Sequence, residues 1–328
     1  MDKVYFLRDE SKLKKVTDKL LGSFFKPNFP IITKIHFGEV GNKTALKPED
    51  IRPLIESLKE VHDKTILVDT PVAYLSPRNT VLGYKLVVKQ RGFDKISDFK
   101  ISNSFVFGKT KNLEVEACKE LMEAKNVLVI SHVKGHPCTG FGGAIKNLGM
   151  GGVSVKTKKT QHNLAKPEVG KNCTGCAKCV PLCPGKAIKI EGGRAKISLS
   201  SCWGCSICEL SCPTGAMQPK VSLFDDLISQ AASVLINKFP QQTFYVNFVK
   251  RMSKFCDCGR NSGKIIAPDV GILFSQNPTA IDKASLDLTI KEAGEDPFFR
   301  AHHKDSIHHL NFASKYTKWS LKYQLVKV

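Results

Sequence analysis

Cys173-Thr174-Gly175-Cys176-Ala177-Lys178-Cys179-Val180-Pro181-Leu182-Cys183-Pro184 is followed, 29 residues later, by Cys202-Trp203-Gly204-Cys205-Ser206-Ile207-Cys208-Glu209-Leu210-Ser211-Cys212-Pro213. The spacing is the same in both, and Gly175 matches Gly204 as Ala187 matches Ala216. Three cysteines two residues apart let a tight loop wrap one iron–sulfur cubane and offer thiolates to three of its irons. The fourth iron then needs a ligand from elsewhere. In two-cluster proteins with this spacing the Cys before Pro serves the other cluster. One predicted set is therefore Cys173, Cys176, Cys179 and Cys212; the other is Cys202, Cys205, Cys208 and Cys183. Zinc ribbons also use four cysteines each, but a triple run closed by Cys-Pro is not a ribbon spacing. Pro184 and Pro213 fix φ and turn the chain away after the last ligand.

The rest of the chain sets this repeat in context. Twelve cysteines in 328 residues would suggest disulfides in a small secreted protein, but eight of them clustered within one short segment of a long chain point to metal ligands. The start, Met1 to Glu10, lacks the basic head, apolar core and cleavage site of a signal peptide. No stretch approaches the roughly 18 apolar residues of a membrane span. A cytoplasmic protein without a membrane span is expected. The formal net charge of +20 favours acidic electron carriers, anionic substrates or RNA. Between Lys166 and Lys220 eight Lys or Arg stand against three Asp or Glu, an excess that thiolate-ligated clusters would largely offset. Basic segments rich in aromatic residues are lacking, so nucleic acid ranks last among the partners.

On either side of the repeat the chain alternates buried strands with amphipathic helices, the pattern of an α/β domain with a largely parallel sheet and helices on its faces. Strands are predicted at Val4–Leu7, Ile31–Phe37, Thr65–Asp69, Asn126–Val133, Thr243–Val249 and Val270–Phe274. Helices are predicted at Ser11–Phe25, from Pro48, at Thr80–Gln90 and at Leu223–Phe239. Another helix carries Asn277 as N-cap, Pro278 at its first position and Gly294 beyond its end. Within the repeat, Ala187–Ile190 and Arg194–Ile197 flank Gly192-Gly193 as a small hairpin. The predicted organisation is residues 1–165 and 221–328 sharing one sheet, with 166–220 inserted.

Two further segments carry possible chemistry. His132-Val133-Lys134-Gly135-His136-Pro137-Cys138 leads from a buried strand into the glycine-rich run Gly140 to Gly152. Ligands bind beyond strand C-termini in open α/β sheets, and glycine-rich turns present N–H groups to anions. Lys134, His136, Lys146 and Asn147 are thus candidate ligand-binding residues, although the segment could equally be a docking surface for the inserted module. It fits neither a Walker loop nor a dinucleotide fingerprint. Cys256-Asp257-Cys258 places two soft ligands one residue apart, able to form a further metal site, to undergo thiol chemistry, or to stand inert. Cys118 is expected in the core on a helix beside Leu121. The pairs His302-His303 and His308-His309 are expected to face solvent.

The segment from Lys166 to Lys220 resembles a bacterial dicluster ferredoxin at every ligand position. The chain as a whole resembles the family catalogued as domain of unknown function 362, in its ferredoxin-containing form. That likeness is carried by His36-Phe37-Gly38-Glu39 with Gly41-Asn42, and by Asp69-Thr70 with Arg78-Asn79. It continues in Lys134-Gly135-His136 with Gly140 to Gly151, in Cys256-Asp257-Cys258, in Pro268 to Leu273, and in Pro278 to Asp287. Some relatives carry a further Cys where this chain has Gly152-Val153-Ser154, which puts a metal site there in doubt. The resemblance implies an α/β fold interrupted by a small α+β ferredoxin-like module and two [4Fe-4S] clusters, with an additional metal or organic cofactor left open. It brings no reaction with it. The functional expectation is electron relay between an external carrier and a site in the α/β domain near Lys134, His136, Lys146, Cys256 and Cys258. Its partner would be a small acidic carrier of ferredoxin or flavodoxin type, or a larger oxidoreductase on which the chain docks as a non-enzymatic adaptor.

Overall fold

Every residue from Asn126 to His132 is buried, and successive side chains serve different cores: Val127 and Val129 pack on one face of the sheet, Leu128 and Ile130 on the other. A strand covered on both faces needs this unbroken apolar run, because side chains alternate across the sheet while helices screen both sides. In the computed structural model, which describes residues 1–62 and 64–328, this strand lies near the middle of an eight-stranded sheet. Its strands are β1 (Asp2–Leu7), β2 (Ile31–Lys34), β3 (Thr65–Asp69), β4 (Asp98–Ile101), β5 (Asn126–His132), β6 (Thr243–Val249), β7 (Gly271–Ser275) and β8 (Tyr323–Lys327). Their order is β8-β1-β7-β6-β5-β2-β3-β4. Seven strands run one way and β7 alone runs against its neighbours.

The mostly parallel sheet with flanking helices is the expected one. The segments before and after the cysteine repeat meet in the pairing of β5 with β6, Val129 opposite Tyr245 and Ile130 opposite Val246. One face is covered by Leu13–Leu21, Pro48–Val61 and Val81–Gln90, the other by Phe224–Ile236 and Pro278–Ala293. Local signals hold at the ends of elements. Asn277 accepts from the N–H groups of Thr279 and Ala280, Pro278 opens the helix, and Gly294 closes it in a left-handed conformation. Thr80 caps Val81–Gln90 through the N–H of Gly83.

Three readings need correction or addition. Cys118 is fully buried, but at the end of the strand Glu114–Cys118, paired with Phe105–Lys109, rather than on a helix. His302 and His309 do not face solvent. His302 closes the helix Pro297–His302 with Nε2 2.6 Å from the Lys254 carbonyl, and His309 lies buried with its ring 5.0 Å from Phe141. The strand Tyr323–Lys327, which pairs in parallel with β1, was not anticipated. Among the described residues no helix is long and apolar enough to cross a membrane.

Candidate functional site

Strands β2, β3 and β5 all deliver their C-terminal ends to one edge of the sheet, where open α/β folds bind ligands. A cleft of about 950 Å³ opens there. Lys134, His136, Lys146, Asn147, Cys256 and Cys258, six residues singled out from the sequence, line it together. Lys146 and Asn147 arrive on the short helix Ala144–Gly149, whose first N–H groups are held by a buried carboxylate: Asp282 accepts from Ala144 at 2.7 Å and from Ile145 at 2.9 Å. Burial pushes the Asp282 carboxyl up to about 6, against the pull of those donors. A Cβ on Gly143 would lie 2.3 Å from Asp282 Oδ1, so a side chain there would break the clamp.

The polar groups of the cleft are orderly. Asp69, at the end of β3, sits fully buried between Lys34 at 3.1 Å, His36 Nδ1 at 3.2 Å and the Tyr84 hydroxyl at 2.5 Å. Burial opposes its charge, but Lys34 and His36 outweigh that and hold the carboxyl far below the usual range. Lys34 also donates to Asn147 Oδ1 at 2.6 Å, tying the end of β2 to the glycine-rich loop. Asp257 accepts from His132 Nδ1 at 2.8 Å and from Lys134 at 2.9 Å. His136 Nδ1 accepts the Cys138 N–H at 3.2 Å, which leaves the hydrogen of the neutral ring on Nε2. Burial keeps this ring neutral. Lys158 reaches only neutral oxygens, Thr70 Oγ1 at 2.6 Å and Pro71 O at 2.5 Å, and desolvation lowers its amine to about 7. The Lys146 ammonium makes no hydrogen bond or ion pair with a carboxylate among the described residues. Among the described residues lining the cleft Asp69 is the one Asp or Glu, and it is already committed, so the surplus charge there is positive.

Cys256 and Cys258 face each other in a turn pinned from several sides. The Cys258 carbonyl accepts from Arg78 at 2.8 Å and from the Tyr74 hydroxyl at 3.0 Å, while the Glu39 N–H donates to the Asp257 carbonyl at 3.1 Å. His36 Nε2 stands 3.9 Å from the Cys258 sulfur. The neighbouring Cys256, then His36 and Lys146, hold Cys258 well below the usual thiol range despite burial.

The eight repeat cysteines surround two separate hollows. One is lined by Cys173, Cys176, Cys179 and Cys212, the other by Cys183, Cys202, Cys205 and Cys208. The backbone repeats with the sequence. Left-handed residues recur at equal offsets from each first cysteine, Gly175 with Gly204 and Ala177 with Ser206, and at equal offsets from each last, Lys186 with Gly215. A Cβ on Gly175 would lie 2.4 Å from Gly193 O, and one on Gly204 2.2 Å from His162 O. Backbone N–H groups point at sulfur: Ala195 at Cys173 (3.4 Å), Ala187 at Cys183 (3.2 Å) and Gly204 at Cys202 (3.4 Å). Such donors stabilise thiolates that carry a cluster's charge. Cys176 is exposed, whereas Cys205 and Cys208 are buried.

The second hollow abuts the α/β body. Cys138 and Cys205 share one apolar cluster with Phe224, and buried Lys304 donates to the Cys205 carbonyl at 2.6 Å while pairing with Asp225. Cys202 and Trp203 also line the large cleft, and His162 links the two regions, its Nδ1 2.8 Å from the Trp203 carbonyl. Among the described residues no three His, Cys, Asp or Glu side chains converge as ligands of a single ion. Sequence reasoning about sites passed over Lys158, His162 and Trp203. Those at His36 and Asp69 follow strands directly, and strand-end position could have found them. Lys158 and His162 lie on the polar helix Val155–Leu164, which reads as solvated throughout.

These features define an α/β protein with a cationic cleft at the sheet's C-terminal edge and a cysteine-rich segment beside it. The chain matches the family described as Domain of unknown function (DUF362) over residues 31–287, and belongs to it. It is 41% identical over 49 residues to an uncharacterized ferredoxin of Methanocaldococcus jannaschii, a match covering 14% of this chain and 79% of that protein. Two solved structures are distantly similar. A Thermotoga maritima protein aligns with TM-score 0.47 and 10% identity over 94% of this chain, and the lactate racemase apoprotein of Thermoanaerobacterium thermosaccharolyticum with TM-score 0.38 and 14% identity over 76%. The chain spans 59% and 51% of their respective lengths.

Proposed function

We propose that this chain is an iron–sulfur redox protein whose inserted segment, residues 166–220, holds two [4Fe-4S] clusters and relays electrons from an external carrier to the cationic cleft. The observation that carries the reading is the lining of the two hollows: each takes three cysteines from one motif and the Cys before Pro from the other, the exchange expected of a two-cluster protein. The likeness to a ferredoxin supports it. Cys173, Cys176, Cys179 and Cys212 would hold the outer cluster, and Cys183, Cys202, Cys205 and Cys208 the inner one. The clusters supply one-electron redox chemistry; the protein's part is to hold eight thiolates, direct N–H groups at their sulfurs and set the inner cluster against the cleft. Exposed Cys176 favours electron entry at the outer cluster, and the contact of Cys202 with the cleft favours delivery from the inner one.

Anaerobic purification with iron, acid-labile sulfide and whole-metal analysis tests this. About eight irons and eight sulfides per chain are expected, with paramagnetic signals from interacting clusters after dithionite. Colourless protein containing zinc and no labile sulfide would overturn the proposal.

A further inference from the structure

We propose that Cys256 and Cys258 form a two-electron dithiol–disulfide couple that reduces a small anionic disulfide bound in the cleft and is regenerated through the clusters. This rests on the electron-relay reading above. Three observations carry it.

The first is geometry. Residues two apart span at most about 7 Å of extended chain, and the turn at Asp257 shortens that reach into the roughly 4.4–6.8 Å between Cα atoms that a disulfide bridges. Both residues line the same cleft, with the Cys258 sulfur 3.9 Å from His36 Nε2. The turn is fixed by Arg78, Tyr74, His132 and Lys134, which hold the two residues together at the cleft.

The second is the division of labour between the thiols. Cys258 stands 3.9 Å from His36 Nε2 and faces Lys146, which suits it to attack as thiolate; Cys256 keeps its hydrogen until it is needed to resolve the intermediate.

The third is charge. Lys146 faces the Cys258 sulfur and pairs with no carboxylate among the described residues, so once that sulfur has attacked, the ammonium's charge is left to the anionic groups flanking the sulfur–sulfur bond.

The chemistry balances. Cys258 sulfur attacks one sulfur of R–S–S–R′, forming a mixed disulfide and releasing R′S⁻, which takes up a proton. Cys256 sulfur then attacks Cys258, breaking the mixed disulfide, and its own hydrogen leaves as RSH forms. The substrate has gained two electrons and two protons, and the protein holds a Cys256–Cys258 disulfide. A low-potential one-electron carrier protein, acting through the clusters, supplies two electrons one at a time; with one proton from solvent these restore the Cys256 thiol and the Cys258 thiolate. Two one-electron centres beside a two-electron couple make the stoichiometry match.

The test uses full-length, cluster-loaded protein under anaerobic conditions, reduced with dithionite, desalted and mixed with dithiodiglycolate, with hydroxyethyl disulfide as a neutral control. Return of the visible absorbance of oxidised clusters reports electron loss, and acid quenching, alkylation and peptide mass spectrometry report the thiols. The expected result is reoxidation by dithiodiglycolate in preference to the neutral probe, with a linked Cys256–Cys258 peptide. Cys256→Ser should trap the probe as a mixed disulfide on Cys258, and Cys258→Ser should lose both trapping and reoxidation. Overturning results are two thiols that alkylate freely after exposure to the probe, variants that reoxidise at the wild-type rate, or equal reaction with the neutral disulfide. Iron and sulfide are measured on the same samples: their absence sinks the electron-relay reading, whereas loaded clusters beside an unlinked pair sink only the dithiol.

Discussion

Lys158 and Asp69 are where burial and charge meet most sharply, and each makes a prediction. A lysine in an unfolded chain keeps its proton to about pH 10.4. In the fold, desolvation, only partly offset by Asp69, brings Lys158 down to about 7. Between those limits the unfolded state binds the extra proton, so folding becomes more favourable as pH rises from about 7 toward about 10. Anaerobic chemical denaturation should show wild-type protein gaining up to about 3 kcal/mol between about pH 7 and 9.5 relative to Lys158→Met; parallel profiles would contradict the assignment. Asp69 works in the opposite sense. Its carboxylate compensates Lys34, which is fully buried, and removing one partner of a buried pair strands the other. Asp69→Asn should cost about 3–5 kcal/mol at neutral pH, seen as an earlier denaturation midpoint. Because the folded carboxyl titrates far below the unfolded one, that contribution is complete above about pH 4 and disappears only in acid.

The loop from Cys202 to Cys208 depends on Gly204 in a way its twin does not. Both glycines are left-handed, but Gly175 presses on Gly193 within the cysteine-rich segment, whereas Gly204 presses on His162 of the helix Val155–Leu164. Gly204→Ala should therefore push the inner quartet off the body, while Gly175→Ala disturbs only the outer one. Iron content should fall toward about four per chain in both, but only Gly204→Ala should also slow electron delivery to the cleft from whatever cluster remains. Equal behaviour in a dithionite-driven turnover assay would argue against an inner and an outer role. Such local rules also explain what could be read from the sequence. Thr65–Asp69 and Thr243–Val249 are strands because their own residues say so, and Asn277, Pro278 and Gly294 frame a helix through their own backbones. The pairing of Tyr323–Lys327 with Asp2–Leu7 joins opposite ends of the chain, and no local pattern encodes a partner. Lys134, His136, Lys146 and the Cys256/Cys258 pair were visible because chemistry-bearing residues follow strands or stand close together. Lys158 and His162 hid on a helix whose polarity resembles that of a solvated face, and His302 and His309 were misread because polar neighbours in sequence are not neighbours in space.

A formal charge of +20 acts over the full surface, and how it is distributed decides what it does. Around the outer hollow Lys171, Lys178, Lys189 and Lys196 are exposed, while in the cleft Lys134 and Lys158 are buried and Lys146 is half-buried. The outer group is therefore suited to steering a carrier and the inner group to holding a substrate. Surface charges of this kind raise association rates through long-range attraction that salt screens, the Debye length shrinking from about 10 Å at 0.1 M to about 3 Å at 1 M. Reduction of the clusters by an acidic carrier protein should thus slow about tenfold or more as ionic strength rises from about 50 to about 500 mM. Paired Lys171→Glu and Lys178→Glu substitutions should reproduce much of that loss at low salt while leaving the iron content unchanged. Turnover of an anionic substrate with the carrier saturating should respond far less, because Lys134 and Lys158 are buried, Lys146 is half-buried, and charges so placed are poorly screened. Stopped-flow reduction across a salt series separates the two effects. A salt-independent rate of carrier reduction would place electron entry away from the lysine-ringed hollow.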